Sequence, residues 1–248
     1  MFFELHTGLP REGPGDDATT RRVLEAAGSL PGKPDVLDIG CGPGAQTLVL
    51  ARETGGHVNA VDAHQPFLDE LSRRARDAGL SDAIKPVRAS MTALPFASES
   101  FDLIWSEGAI FIMGFEAGLR AWRGLLRPGA VLVVSEVTWF SEAPPEPARA
   151  FWADAYPSMQ TMDQNRAAVE RSGHERIAEI VLPRESWFSD YFDPLERRIE
   201  ALAAERPDDA ALQRFLEGER AEIDIVRRYG DSFGYVFYVM RKSGPDRA

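Results

Sequence analysis

The stretch Val36-Leu37-Asp38-Ile39-Gly40-Cys41-Gly42-Pro43-Gly44 decides the fold of this chain. Its first four residues have the character of a buried strand, three glycines follow at alternate positions, and a helix is predicted over Gln46–Thr54. A strand that ends in a glycine turn under a helix N-terminus lets a ligand approach the backbone closely, where amide N–H groups are unpaired. We therefore expect a ligand site with open amides at this turn.

Short apolar runs alternate with helical patterns from residue 35 to about residue 135, which is typical of βαβ units on a parallel sheet. Helices are predicted at Thr19–Ala27, Pro66–Ala78 and Phe115–Leu126, the last closed by Arg127-Pro128-Gly129. Strands are predicted at Val36–Ile39, His57–Val61, Ile84–Arg88, Phe101–Trp105, Ala130–Ser135, Ile177–Leu182 and Tyr235–Met240.

The region between the last two predicted strands has helical periodicity instead. Apolar residues recur on one helix face at Leu195, Ile199 and Leu202, and on a second at Leu212, Phe215, Leu216, Ile223 and Val226. A helical hairpin without a role and a cover on the substrate side both fit this pattern.

Composition narrows the classes of function. Of 248 residues, 44% are hydrophobic and 27% charged, and the formal net charge is −11. That charge repels a phosphate backbone, and Lys and Arg dominate no stretch, so we expect no nucleic-acid partner. The chain has one cysteine, Cys41, which excludes an internal disulfide and a thiolate metal cluster. No signal peptide or apolar run of about 18 residues is recognisable, so a cytoplasmic protein without a membrane partner is expected.

Two carboxylates near the glycine turn indicate which ligand it binds. The run Gly40–Ala45 also fits the dinucleotide fingerprint G-x-G-x-x-G/A, so the glycines alone are weak evidence. Asp38, however, sits inside the strand, where a dinucleotide site usually has an apolar or small residue. Asp62 closes the second predicted strand, where a carboxylate can accept both hydroxyls of a ribose. Asp62 therefore indicates a nucleoside ligand. This expectation does not separate a dinucleotide site from another nucleoside site.

Several segments in order resemble the class I S-adenosylmethionine-dependent methyltransferases. The resemblance covers residues 35–135, and a wider resemblance, nearly end to end, is to a bacterial subgroup of small-molecule methyltransferases of unknown substrate. The segments that carry it are Val36–Gly44, Asn59–Asp62, Ala89–Phe96, Phe101–Trp105 and Leu125–Ala130, and for the subgroup Leu9–Gly15, Trp105–Ile110 and Ser135–Phe140.

The resemblance implies an α/β fold, a doubly wound Rossmann-like sheet of seven mostly parallel strands with the last strand antiparallel. It divides the chain into an N-terminal cap segment and helix (1–30), a cofactor-binding core (31–182), a helical insertion as probable substrate-side cover (183–233), and a last strand and tail (234–248). The implied cofactor is S-adenosyl-L-methionine and the implied partner a small-molecule substrate. A monomer and a homodimer both remain open.

The resemblance also implies roles for single residues. Gly40, Gly42 and Gly44 would wrap the methionine part of the cofactor, and Asp38 would orient its ammonium. The remaining implied contacts are Asp62 to the ribose, Ala63 and Phe67 to the faces of the adenine, Ser90 and the backbone N–H of Met91 to its edge, Glu107 to the boundary between cofactor and substrate, and Arg11 to the cofactor carboxylate.

Methyl transfer to oxygen or nitrogen also needs a group that removes a proton. The candidate catalytic residues are Glu107 and Glu136, and His64 and His6 are further candidate bases. No metal constellation is recognisable. A nicotinamide-dependent oxidoreductase and a methyltransferase-like binding protein without turnover are the alternative functions.

Overall fold

The sheet of this protein has eight strands, seven of which form one continuous path. The computed structural model describes residues 1–244, so the predicted tail is described only as far as Gly244. In spatial order the path is β3-β2-β1-β4-β5-β8-β7, and β6 pairs with β5 beside it. The strands are β1 (Asp35–Ile39), β2 (His57–Asp62), β3 (Ile84–Arg88), β4 (Phe101–Ser106), β5 (Leu126–Trp139), β6 (Gln160–Thr161), β7 (His174–Val181) and β8 (Phe233–Lys242).

Strand direction confirms the predicted fold class. The neighbours from β3 through β5 all pair in parallel, whereas β8 runs antiparallel to both β5 and β7. The order reverses on either side of β1, because β2 lies on one flank and β4 on the other. In open α/β sheets a ligand crevice forms at such a switch point, beyond the carboxyl ends of the strands. Of the eight strands described, only the short β6 was not predicted from the sequence.

Helices cover both faces of the sheet. Successive residues of β5 alternate between two cores, with Val131 and Val133 in one and Leu132 and Val134 in the other, as the two-residue period of a strand requires. The helices are α1 (Phe2–His6), α2 (Asp17–Ala26), α3 (Ala45–Thr54), α4 (Gln65–Asp77), α5 (Phe115–Arg123), α6 (Glu146–Ala155), α7 (Met162–Arg171), α8 (Asp193–Glu205) and α9 (Ala210–Tyr229). None of these helices is both long and apolar enough to cross a lipid bilayer, within residues 1–244.

The start of β5 corrects one sequence prediction. Helix α5 ends at Arg123, so Leu126 belongs to the following strand and not to the helix, and Arg127-Pro128-Gly129 lies within that strand. The ladder to β4 is irregular there, with Phe101 opposite Leu126 but Leu103 opposite Val131. Pro128 has no N–H for the ladder and Gly129 has a φ of +74°, so the two residues make a bulge and not a break.

The insertion packs through the two faces that its periodicity predicts. Leu195, Ile199 and Leu202 of α8 are buried, as are Leu212, Leu216, Ile223 and Val226 of α9. The N-terminal helix α1 contacts α8, and the Nη2 of Arg206 donates to the carboxylate of Glu4 over 2.7 Å. The insertion and the first residues of the chain thus lie together on one side of the sheet.

Removal of the N-cap of α9 should destabilise the protein. The Asp209 carboxylate accepts the backbone N–H of Leu212 over 3.0 Å, an otherwise unpaired group of the first helical turn. We expect Asp209→Ala to lower the free energy of unfolding by about 1 kcal/mol, measured by urea denaturation. The matched control is Asp208→Ala, since Asp208 is exposed and precedes the cap. Equal losses in the two variants would show that the cap contributes nothing.

Candidate functional site

The glycine turn lies between β1 and α3, at the point where the strand order reverses. Two of its glycines are required by packing. A Cβ on Gly40 would lie 2.5 Å from the Cβ of Ala109, and a Cβ on Gly44 would lie 2.1 Å from the Cδ1 of Leu71. Both residues also have a positive φ, +73° and +87°, which L side chains rarely adopt. The turn can therefore pass between β4 and α4 only without side chains at these positions.

The amides of the turn correct the expectation of open N–H donors. Gly40 and Cys41 both donate to the carbonyl of Val61, over 2.9 and 3.0 Å, and Gly44 donates to the carbonyl of Cys41 over 3.0 Å. Gly42 donates to the Asp62 carboxylate over 3.0 Å. The reason is the parallel neighbour β2, which ends beside the turn and presents acceptors to it. A ligand here meets a turn whose donors are already bonded, and only the Gly42 donor is held by a side chain.

Asp38 is fully buried and has partners within the protein. Its carboxylate accepts the Thr47 hydroxyl over 2.6 Å and, more weakly, the Gln46 amide over 3.4 Å. Burial raises the pKa of Asp38 to about 7, against the opposing effect of the Thr47 hydrogen bond. These contacts tie the start of α3 to β1. The hypothesis that Asp38 orients a ligand ammonium stays a prediction.

Asp62 holds both the turn and the start of α4. One carboxylate oxygen accepts the N–H of Gly42 and the other accepts the N–H of His64 over 2.8 Å. Ala63 is exposed, whereas Phe67 is buried. The ring of His64 stacks on Phe3 with 3.7 Å between centroids and meets Phe67 edge-on at 4.7 Å. The surface predicted to flank an adenine therefore adjoins an aromatic cluster to which α1 contributes.

The predicted adenine-edge residues lie at the end of β3. Ser90 is exposed and its hydroxyl is within 2.7 Å of that of Thr92. The Met91 carbonyl accepts the indole N–H of Trp122 over 3.2 Å, which fixes the loop on α5. The Cε of Met91 would lie 3.9 Å from a Cβ on Gly40. The structure thus brings Met91 to the glycine turn and leaves Ser90 at the surface.

The N-terminal segment lies directly over the turn. The Cγ of Glu12 would be 3.2 Å from a Cβ on Gly42. Nδ1 of His6 lies 3.3 Å from the Glu12 carboxylate, and the side-chain polar atoms of both residues are buried without hydrogen bonds. Burial raises the pKa of Glu12, which the nearby His6 opposes. The residue of this segment that faces the turn is therefore Glu12, and the sequence analysis did not single it out.

Glu107 is occupied by the protein itself. Its carboxylate accepts the Trp105 indole N–H over 2.9 Å, the Thr20 hydroxyl over 3.0 Å and Arg11 over 3.4 Å. Burial raises the pKa of Glu107, and the Arg11 charge opposes that rise. Arg11, expected beside a cofactor carboxylate, is buried and also bonds Asp17 over 2.9 Å. The contacts give Glu107 and Arg11 the role of fastening the N-terminal segment to the end of β4.

Glu136 is the predicted catalytic residue whose carboxylate keeps an unpaired oxygen. It is buried on β5, and its Oε2 has no hydrogen-bond partner within residues 1–244. Burial raises the pKa of Glu136 to about 7, and the Tyr156 hydroxyl nearby opposes that rise. Of the two glutamates predicted to act on protons, the structure thus leaves Glu136 available. His64 stacks on Phe3, and His6 faces Glu12.

Two further acids come from α9. Burial raises the pKa of Glu222 to about 7, and Glu219 also has a raised pKa because of burial. A signal for Glu219 was present in the sequence. Helical spacing joins Leu212, Leu216, Glu219, Ile223 and Val226 into one stripe, in which the half-buried Glu219 is the single carboxylate. The sequence analysis read only the apolar members of this stripe.

The comparison with known proteins agrees with the geometry. Residues 36–129 match the family described as "Methyltransferase domain". A methyltransferase of Streptomyces halstedii is 35% identical over 41% of this chain and 37% of its own length. A dimethylglycine N-methyltransferase of Parasynechococcus marenigrum is 34% identical over 54% of this chain and 50% of its own. The chain thus spans about half the length of the curated relatives it matches, or less.

Solved structures share the fold over nearly the whole chain. A methyltransferase of Geobacter sulfurreducens, solved with S-adenosyl-L-homocysteine, has a TM-score of 0.81 at 20% identity and covers 96% of each chain. One of Thiobacillus denitrificans, solved with the same compound, has a TM-score of 0.80 at 19% identity and the same coverage. The predicted resemblance is confirmed: residues 36–129 match the methyltransferase-domain family, and the chain has the fold of these solved methyltransferases.

A side chain at Gly44 should clash with α4. We expect Gly44→Ala to lower the free energy of unfolding by about 2–4 kcal/mol, because strain at positive φ adds to overpacking against Leu71. The matched control is Gly55→Ala, which has φ +61° and no atom within 4 Å of its added Cβ. In chemical denaturation the double variant with Leu71→Ala should lose less than the sum of the two single losses. A Gly44→Ala loss no greater than that of Gly55→Ala would refute the clash.

Asp38 should make stability depend on pH. A carboxyl with a raised pKa stabilises the fold while protonated, so this contribution is present below pH 4 and is lost as the pH rises towards 7. Asp38→Asn removes the titration. The stability of the variant relative to the parent should therefore rise by a few kcal/mol between pH 4 and pH 8, measured by urea denaturation. Parallel pH profiles for the two proteins would mean that Asp38 titrates normally in the folded state.

Proposed function

We propose that this chain, through the methyltransferase domain at residues 36–129, transfers the methyl group of S-adenosyl-L-methionine to a small-molecule acceptor. The observation that carries the proposal is the position of the match, which spans both the glycine turn and Asp62. In the structure Gly42 and Asp62 are hydrogen-bonded to each other over 3.0 Å. Relatives with this domain include proteins named as methyltransferases, among them one named for dimethylglycine.

The residues at the turn fit such a cofactor. Each carboxylate oxygen of Asp62 accepts one N–H and keeps a lone pair for a ribose hydroxyl. His6 and Glu12 leave buried polar atoms without hydrogen bonds beside Gly42, where an amino-acid group of the cofactor would supply partners. Phe67 and Met91 offer apolar surface to a base. We assign Asp38, Gly40, Gly42, Gly44, Asp62, Ala63, Phe67, Ser90 and Met91 to this cofactor site.

The protein contributes orientation, exclusion of water and a proton acceptor to the reaction. When bound, S-adenosyl-L-methionine supplies an electrophilic methyl group on a positively charged sulfur. The N-terminal segment, fastened through Arg11 and Glu107, closes the turn against water, which favours transfer between positioned groups. Glu136 accepts the acceptor's proton, since its Oε2 is buried and free.

The proposed division of labour follows the predicted domains. Residues 31–182 hold the cofactor, residues 1–30 cover it, and residues 183–233 cover the substrate. The net charge of −11 favours a small molecule over nucleic acid as the partner. A cytoplasmic location and the choice between monomer and homodimer stay predictions.

Loss of the Asp62 carboxylate should weaken cofactor binding. We expect Asp62→Ala to raise the Kd for S-adenosyl-L-methionine by about 10- to 100-fold in calorimetry, as for removal of a charged acceptor. The control is Asp82→Ala, an exposed residue before β3 at the other end of the sheet. Asp62→Asn, which keeps one oxygen acceptor, should give a smaller loss, and circular dichroism checks the fold of each variant.

Two outcomes would contradict this assignment. An unchanged Kd in Asp62→Ala would place the ribose elsewhere. Binding of NADPH with no binding of S-adenosyl-L-methionine or S-adenosyl-L-homocysteine would replace the proposed function by a nicotinamide-dependent one.

A further inference from the structure

We infer that the methyl acceptor is a small amine, and that its nitrogen binds at the free carboxylate oxygen of Glu136 within an acidic, tyrosine-lined cluster. This inference rests on the proposed function and specifies its substrate class. The cluster consists of Glu136, Tyr156, Tyr235, Glu219 and Glu222.

The cluster adjoins the turn that follows β4, next to the glycine turn. The hydroxyl of Tyr235 would be 3.7 Å from a Cβ on Gly108. The N–H of Gly108 donates to Ser135, the neighbour of Glu136, over 2.8 Å. The next residue, Ala109, is the one that packs against Gly40. The cluster therefore adjoins the proposed cofactor site through Gly108 and Ala109.

The charges around Tyr235 are negative. Both Glu136 and Glu222 raise the pKa of Tyr235, after its burial, so the phenol lies within the field of two carboxylates from different elements. The Glu136 charge likewise raises the pKa of Tyr156. No Lys or Arg charge opposes the raised pKa of Glu136, Glu219 or Glu222, and His6 opposes only that of Glu219. Acids gathered without a basic partner are costly to bury, and a cationic ligand removes that cost.

Glu136 makes the cluster specific for a ligand that donates a hydrogen bond. The residue is 2% exposed and its Oε2 has no hydrogen-bond partner among the described residues. Buried polar atoms are nearly always paired, so an open carboxylate oxygen points to a ligand with an N–H group. Tyr156, whose ring meets Phe111 edge-on at 5.9 Å, adds an aromatic surface of the kind that attracts alkylammonium groups.

The proposed step balances in protons and electrons. The amine arrives as an ammonium ion and passes a proton to Glu136, whose pKa burial raises to about 7. The nitrogen lone pair then forms the N–C bond as the C–S bond breaks, and the sulfur keeps that electron pair as a thioether. The product nitrogen carries the positive charge, and Glu136 returns its proton to water when the product leaves.

Binding of a matched pair of probes to the product complex tests the inference. Protein saturated with S-adenosyl-L-homocysteine is titrated in the calorimeter with protonated 2-(dimethylamino)ethanol and with 3-methylbutan-1-ol, which has the same shape without the charge and the N–H group. We expect the amine to bind at least about tenfold tighter, because only the ammonium ion gains from the carboxylates. Glu136→Gln and Glu222→Gln should each reduce this preference severalfold. Glu217→Gln, an exposed site on the same helix, should leave it unchanged.

Turnover supplies a second readout. A panel of primary, secondary and tertiary alkylamines is compared with alcohols and thiols of the same skeleton, and formation of S-adenosyl-L-homocysteine is measured. We expect methyl transfer to amines and a larger rise in KM than fall in kcat for Glu222→Gln, since Glu222 acts on binding through charge. The inference would be overturned if the two probes bound equally or neither bound. It would also be overturned if the preference survived Glu136→Gln, or if methyl transfer occurred only to oxygen or sulfur.

The test separates this inference from the proposed function. Binding of S-adenosyl-L-homocysteine is measured first, and a failure to bind would contradict both the proposed function and the inference. If S-adenosyl-L-homocysteine binds but the protein does not discriminate between the probes, only the amine acceptor is contradicted. Displacement of the amine probe by Mg²⁺ at millimolar concentration, with transfer to oxygen that requires Mg²⁺, would mean that the carboxylates hold a metal ion. That result would also overturn the amine acceptor.

Discussion

The structure depends on the attachment of the glycine turn to the end of β2. The Val61 carbonyl accepts two successive amides, and the neighbouring Asp62 carboxylate accepts a third, so one strand end fixes the course of the next. Because the turn is held there, α3 begins beneath it and Asp38 is sealed against Thr47. Gly40 and Gly44 then pass close to Ala109 and Leu71, where no side chain fits. Hydrogen bonds and close packing thus fix the glycine turn at the switch point of the sheet.

The N-terminal segment over the glycine turn is held by ion pairs and hydrogen bonds as well as by apolar packing of Leu5 and Leu9. Arg11 joins Glu107 and Asp17, and Glu107 also bonds side chains from α2 and β4. One carboxylate thus connects residues 11–20 to the end of β4. Glu136 differs, because its Oε2 has no hydrogen-bond partner among the described residues, and burial raises the pKa of Glu136, Glu219 and Glu222. The protein therefore contains two sets of shielded acids, one bonded within the protein around Glu107 and one around Glu136 with an unpaired oxygen.

Most of the architecture was predictable, because alternation and glycine spacing are local properties. The strands, the long insertion and its two apolar faces follow from periodicity alone. What the sequence did not predict depends on distant partners. Nothing near Gly42 indicates that Asp62 occupies its amide, and nothing near Arg11 indicates that Glu107 lies opposite it. The extension of β5 back to Leu126 was hidden because Pro128 and Gly129 signal a break, although a bulge accommodates them. Glu219 was overlooked because only the apolar members of the stripe on α9 were read.

The position of Glu12 has a kinetic consequence. Its side chain covers Gly42, and its segment is joined to the insertion where the N–H of Gly15 donates to the carbonyl of Ser186 over 3.2 Å. A molecule that binds against Gly42 therefore has to displace the Glu12 side chain, and the hydrogen bond to Ser186 restrains the segment that carries it. The rates of binding and release then depend on the movement of Glu12 as well as on the contacts that the molecule makes.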